Sequence, residues 1–93
     1  MNGIKPFCFV LLPPSKAYLN LWDAVIKPAI ENSGMTPVRT ADVAQRYEDI
    51  MEGVRKQIID AEVIIAVLTD ENPTVMYELG LAHAAKKKVI MLL

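Results

Sequence analysis

The stretch NPTVMYELGLAHA, residues 72–84, predicts the helix around which the rest of this chain is built. Shortly before it stand six apolar residues, 63–68 (VIIAVL), a run that is typical of a strand covered on both faces of a sheet. Asn72 and Pro73 then predict the start of a helix, because an asparagine side chain caps unpaired backbone N–H groups and proline suits the first helical position. A buried strand followed at once by a helix indicates a parallel α/β sheet.

Three further segments have the character of strands. Residues 7–12 (FCFVLL) form a continuous apolar run, which indicates a second central strand. Residues 36–40 (TPVRT) are short, and Pro37 favours an edge strand because proline lacks a backbone N–H for the ladder. Residues 89–93 (VIMLL) form the last predicted strand.

Helices are predicted between these strands. The first covers residues 17–33, is kinked at Pro28 and ends at Gly34. Its apolar residues form two rows at helical spacing: Leu21, Val25 and Ala29, and Trp22, Ile26 and Ile30. The second covers residues 47–60, and its predicted buried stripe comprises Ile50, Met51, Val54, Ile58 and Ile59.

The alternation of strands and helices predicts one α/β domain over residues 1–93, a three-layer sandwich with a parallel sheet in the order 2-1-3-4. In that order a crevice forms between the loops after the first and third strands, residues 13–16 and 69–72. The third and fourth strands keep one apolar face bare. We therefore expect a homodimer or larger homo-oligomer, or else a last strand and helix that are lacking from these residues.

The composition argues against several classes of protein. Hydrophobic residues make up 53% of the 93 residues, and the net charge is −1, which argues against a nucleic-acid partner. No apolar run is long enough to span a membrane, and the single cysteine, Cys8, excludes an internal disulfide. The sequence predicts a cytoplasmic protein with no membrane partner, no metal and no cofactor.

Glu78 is the leading chemical candidate, because it lies in the second turn of the helix that begins beside the crevice. Gly80, two residues on, is interpreted as a site of close packing between helix and strand. Tyr18 and Trp22 begin the first helix beside the crevice and are candidates to stack a base, although core packing is the commoner role for Trp22.

Four segments in order carry a resemblance to a known family. They are residues 9–15 (FVLLPPS), 21–29 (LWDAVIKPA), 60–66 (DAEVIIA) and 72–84 (NPTVMYELGLAHA). In these the chain resembles bacterial TIR-like proteins related to nucleoside 2-deoxyribosyltransferases. The resemblance implies a flavodoxin-like fold and a nucleoside, nucleotide or NAD-like ligand. It also implies that Glu78 attacks or stabilises the anomeric carbon of the sugar while the N-glycosidic bond breaks.

Physical chemistry supports that role, since cleavage develops positive charge on the sugar and a carboxylate can stabilise it or bond to it. An acid must also protonate the leaving base or a water must be activated. The candidates for this proton transfer are Asp70, Asp49 and Asp42, in that order, and Asp70 joins Glu78 as a predicted catalytic residue. The predicted substrate-binding residues are Asn72, Pro13, Ser15, Lys16, Asp49 and Tyr77.

The chain departs from the transferase pattern at Asn72, where the transferases carry an aspartate. Asparagine cannot exchange a proton near neutral pH. Two hypotheses follow: an N-glycosidase or deoxyribosyltransferase that uses Glu78, and a non-catalytic TIR-like module for nucleotide sensing or self-association. A phosphate site of the response-regulator type is a weaker third, because Pro13 and Pro14 stand where paired acidic residues would be needed.

Overall fold

Four parallel strands form the central sheet in the order β2-β1-β3-β4. Their bounds are β1 Phe7–Leu11, β2 Thr36–Arg39, β3 Val63–Val67 and β4 Val89–Leu92. The structure, a computed structural model, describes residues 6–13, 15–39 and 47–93, with the side chains of residues 47–51 left out. The predicted order 2-1-3-4 is confirmed, and the strand that contains Pro37 lies at an edge.

The first helical segment runs from residue 16 to residue 32 and changes its pitch on the way. It comprises a 3-10 turn Lys16–Tyr18, α1 Leu19–Leu21, a π-helical turn Trp22–Ile26 and α2 Lys27–Asn32. The π turn comes just before Pro28 and widens the helix where the proline ring would meet the carbonyl group four residues back. The helix therefore continues past Pro28, as predicted, and ends at Asn32, two residues before Gly34, whose φ of +86° lets the chain turn away.

Two longer helices cover the other face of the sheet, α3 Tyr47–Asp60 and α4 Pro73–Ala84. The bounds of α3 are those predicted, and Val54 and Ile58 are buried in it. Ile59 is 56% exposed, so its place in the predicted stripe was wrong. It lies about 100° around the helix from Ile58, beyond the buried sector. The side chains of Ile50 and Met51 lie outside the described residues.

The two faces of the sheet have separate cores. On the α3 and α4 side the buried residues are Phe9, Leu11, Val54, Ile58, Ala61, Ile64, Ala66, Val75, Leu79 and Ala82. On the side of the first helical segment they are Cys8, Val10, Tyr18, Trp22, Ile26, Ile30, Val63 and Val67. Helices thus cover both faces, which confirms the predicted layers of a flavodoxin-like α/β fold. Of the two rows predicted for the first helix, Trp22, Ile26 and Ile30 are buried, whereas Val25 and Ala29 are exposed.

Part of one sheet face is bare, as the strand order predicted. Ile65 of β3 is only partly buried and pairs in register with Ile90 of β4, which is 50% exposed. Leu92 continues the same face and is 37% exposed. The expected homo-oligomer stays a prediction.

Candidate functional site

The predicted crevice falls at the carboxyl edge of the sheet, between the neighbouring strands β1 and β3. The segment after β1 packs on one face of the sheet, and α4, which follows β3, packs on the other. Chain segments that leave neighbouring strands in opposite directions open a crevice between them, where sheets of this kind bind ligands. The strand order and connections from which the crevice was predicted are confirmed, and the crevice as a ligand site stays a prediction.

The loop after β1 is arranged by hydrogen bonds of its own. Pro13 is buried, and its carbonyl oxygen accepts a hydrogen bond from the Ser15 N–H at 2.9 Å. The Ser15 hydroxyl oxygen accepts from the Ala17 N–H at 3.2 Å, so Ser15 caps the helical segment as predicted. The side chain of Lys16 is exposed beside it.

The loop after β3 contains two residues in the left-handed region of backbone conformation. Asp70 has a φ of 69° and Glu71 a φ of 47°, within the 3-10 turn Thr69–Glu71. Such values are uncommon for residues other than glycine and mark a turn held in place by its surroundings. The left-handed pair is one of the features that sequence reasoning missed.

Asn72 follows this turn and begins α4. Its side-chain Oδ1 accepts hydrogen bonds from the Thr74 N–H at 2.9 Å and the Val75 N–H at 3.1 Å. The predicted cap is therefore confirmed, with Pro73 at the first helical position. Because Oδ1 is used by the helix, the amide Nδ2 is the side-chain group of Asn72 left to bind a ligand.

A side-chain hydrogen bond joins the two loops. The Tyr18 hydroxyl donates to Asp70 Oδ2 at 2.5 Å, and it lies 3.3 Å from the carbonyl oxygen of Thr69. The ring of Tyr18 is buried, with 8% exposed, so the base-stacking role considered for it does not fit this placement. The hydrogen bond to Asp70 raises the pKa of Tyr18, because a phenolate would lose the bond and face a carboxylate.

Glu78 is a buried carboxyl group. Only 5% of the residue is exposed, and it lies on the face of α4 that also carries Val75, Leu79 and Ala82. Within the part of the chain that the structure describes, its side chain makes no hydrogen bond or ion pair. Burial raises the pKa of Glu78 from 4.5 to about 7, because removal from water disfavours the charged form. Near neutral pH the carboxyl is therefore divided between its two protonation states.

The surroundings of this face of α4 are apolar. The helix packs against α3, β3 and β1. The described buried side chains that those elements contribute to this core are all apolar. A carboxyl group in such surroundings is costly unless it is paired, and this one has no partner among residues 6–13, 15–39 and 52–93.

Not all the predicted site residues come together. Pro13, Ser15 and Lys16 follow β1, and Asp70 and Asn72 follow β3 at the same edge of the sheet.

Tyr77 is 52% exposed and lies on the side of α4 opposite to the buried stripe, so the structure does not bring it together with Glu78. The side chain of Asp49, and all of Asp42, lie outside the described residues. Gly80 is exposed as well, and a Cβ atom there would meet no described atom within 4 Å. The interpretation of Gly80 as a close-packing residue was wrong, because its position on the helix faces away from the sheet.

The hydrogen bond from Tyr18 to Asp70 is a contact that sequence reasoning missed. Tyr18 is separated from Asp70 by 52 positions, and no local pattern indicates such a pair. Among the described residues there is no group of three or more His, Cys, Asp or Glu side chains arranged to hold a metal ion. No helix in the described ranges has the length and hydropathy needed to cross a bilayer.

No protein-family model matches this chain, and no curated protein sequence matches it either. Among solved structures, it is similar to a 2-desoxiribosyltransferase from Leishmania mexicana, with a TM-score of 0.72 and 18% sequence identity. The match covers 92% of this chain and 63% of that one, so the chain spans less than two thirds of the length of that protein. At this identity the likeness shows a shared fold.

Proposed function

We propose that this chain binds a nucleoside or nucleotide in the crevice between β1 and β3, and that Glu78 acts on the anomeric carbon of the sugar. The observation that carries the proposal is the buried Glu78 carboxyl group, which has no described partner. An unpaired acid in an apolar core destabilises a protein, and such groups with shifted pKa values concentrate at functional sites. The fold shared with a 2-desoxiribosyltransferase supports the choice of ligand class.

In the proposed reaction the ionised carboxylate of Glu78 attacks C1′ of the sugar, or stabilises the positive charge there, as the C1′–N bond breaks. The bonding electrons leave with the base nitrogen, which takes up a proton. Water or a second base then bonds to C1′, passes its proton to the carboxylate left on the proton donor, and releases the carboxylate of Glu78. Water gives hydrolysis, and a second base gives transfer of the sugar.

Asp70 is the proposed source of the proton for the departing base. Its Oδ2 accepts the hydrogen bond from Tyr18, which leaves Oδ1 as the atom to carry that proton. Pro13, Ser15, Lys16 and Asn72 are proposed to line the ligand site beside it.

The reaction should depend on pH in a defined direction. Because the pKa of Glu78 is raised to about 7, its ionised fraction increases as the pH rises from 6 to 8. A step that needs the carboxylate should therefore become faster over this range until Glu78 is fully ionised.

The test is incubation of the protein with nucleosides, deoxynucleotides and NAD, followed by chromatography for the released base. We expect release by the wild type and at least a ~100-fold slower rate for Glu78→Gln, which keeps the shape of the side chain and loses its charge. Glu62→Gln is the matched control, since Glu62 is exposed at the start of β3. Equal rates for the wild type and Glu78→Gln would remove Glu78 from the mechanism.

A second candidate function is a binding or self-association module without chemistry. It is favoured by the exposed apolar side chains of Ile90 and Leu92, and by Asn72, whose side chain caps α4 and cannot exchange a proton. Absence of base release, together with a rise in melting temperature on addition of a nucleotide, would select this alternative.

A further inference from the structure

We propose that Tyr18 is a positioning residue for Glu78, and that it acts through its hydrogen bond to Asp70 and the turn that leads into α4. The inference rests on the site proposed above, and it adds to that site a residue that contacts neither the sugar nor the base. Tyr18 is connected to Glu78 through the turn after β3 and the first residues of α4.

The Tyr18 side chain connects one core of the protein with the turn after β3. Tyr18 belongs to the core on the side of the first helical segment, where its ring is buried among apolar side chains. Its hydroxyl reaches the turn after β3 and donates to Asp70 Oδ2 at 2.5 Å. A rigid ring in a packed core therefore supplies a fixed point for a loop that belongs to the neighbouring strand.

The turn after β3 has a backbone conformation that needs support from its surroundings. Asp70 and Glu71 both have positive φ values, and residues other than glycine keep such conformations only where their surroundings hold them. Within the turn, the Glu71 N–H donates to the Leu68 carbonyl at 2.9 Å. Among the described residues, Tyr18 is the side chain that ties the turn to another element.

Asn72 connects the turn after β3 to the helix that carries Glu78. Asn72 follows Glu71 directly, and its side chain and its carbonyl oxygen bind the first amides of α4, including the Met76 N–H at 3.0 Å. A helix moves largely as one body over so short a length, so a shift of its first turn displaces Glu78 in the second turn. Displacements of about 1 Å are enough to impair a reacting group.

The experiment follows the Glu78 carboxyl group by ¹³C NMR as the pH is varied in the free protein, with the resonance assigned from the spectrum of Glu78→Gln. In the wild type the titration midpoint should lie near 7. Tyr18→Phe keeps the buried ring and removes the donated hydrogen bond. We expect its midpoint to fall by about one pH unit or more, because a loosened turn admits water to the carboxyl.

Two further variants test whether the change in midpoint comes from loss of the Tyr18–Asp70 hydrogen bond. Asp70→Ala removes the acceptor in place of the donor and should lower the midpoint to a similar extent. Ser33→Ala removes a side-chain hydrogen bond to Ala29 and Ile30 at the end of α2, beside the start of β2, and should leave the midpoint unchanged. Midpoints in Tyr18→Phe and Asp70→Ala that equal the wild-type value would overturn the inference.

The readout also separates this inference from the proposed function. If the midpoint falls in Tyr18→Phe and the wild type releases no base, the positioning role stands and the proposed chemistry fails. If the wild type releases base, Tyr18→Phe should reduce kcat at least ~10-fold with a smaller change in KM, because Tyr18 does not contact the ligand. Base release in Tyr18→Phe with wild-type kcat and an unchanged midpoint would rule the positioning role out.

Discussion

The two faces of α4 each carry a residue that is unusual for its position in a helix. The inner face buries Glu78 beside Val75 and Leu79, so that a carboxyl group lies in an apolar core. The outer face leaves Tyr77 half exposed and has Gly80 with open space around it. Both faces reduce stability, but only the inner one buries an ionisable group, the carboxyl on which the proposed function depends. The outer face holds no described contact that would explain its glycine.

The largest effect on stability is expected for Glu78→Gln, and it should depend on pH. The pKa of Glu78 is raised from 4.5 to about 7 in the folded protein, so the folded state holds the proton more tightly than the unfolded chain. Stability is then lost as the pH rises from 4.5 to 7, and the loss is complete above 7. At about 1.4 kcal/mol per pH unit, Glu78→Gln should be more stable than the wild type by roughly 3 kcal/mol at pH 8.

Urea denaturation at pH 5 and pH 8 measures this difference. The gain in the free energy of unfolding should be small at pH 5 and large at pH 8, and Glu62→Gln should show neither. A gain that is the same at both pH values would mean that burial of the charge is not its cause. The cost of burying a charge would then no longer distinguish the inner face of α4 from the outer face.

Asn72→Ala should have an intermediate effect on stability. It removes the N-terminal cap of α4 and so affects the whole helix. The Thr74 and Val75 N–H groups would lose their acceptor, which typically costs about 1 kcal/mol. Urea denaturation at pH 5, where Glu78 is mostly protonated, isolates this loss from the effect of charge. Asn20→Ala is the control, since Asn20 is exposed within α1 and makes no side-chain hydrogen bond to the described residues. Equal stability of the two variants would show that the cap does not fix the start of α4.

Gly80→Ala tests the outer face and should give the smallest change, a gain of about 0.5–1 kcal/mol. The added methyl group meets no described atom within 4 Å, and alanine favours a helix over glycine. Gly34→Ala should instead destabilise the protein, because φ at Gly34 is +86°. Thermal unfolding of both variants gives the comparison. Destabilisation by Gly80→Ala would indicate that something covers the outer face of α4 in solution.

Much of the fold could be predicted because its signals are local. Continuous apolar runs identified β1, β3 and β4 to within one residue at their ends, and Asn72 and Pro73 identified the start of α4. The order of the sheet followed from the alternation of elements and the handedness of their connections. Periodicity was less reliable for burial. It placed Ile59 in the buried stripe although the residue is 56% exposed, because neighbouring apolar residues cannot all face the sheet.

The layers, the strand order and the cap of α4 could be predicted from the residues alone, since they follow from local patterns and from the order of the elements along the chain. The burial and long-range contacts of the candidate site residues became visible only in the folded chain. Its packing buried Glu78 away from a described partner, turned Tyr77 and Gly80 outward, and brought Tyr18 to Asp70 across 52 positions. Burial and long-range hydrogen bonds depend on how whole elements pack against each other, and no local pattern of residues contains that information.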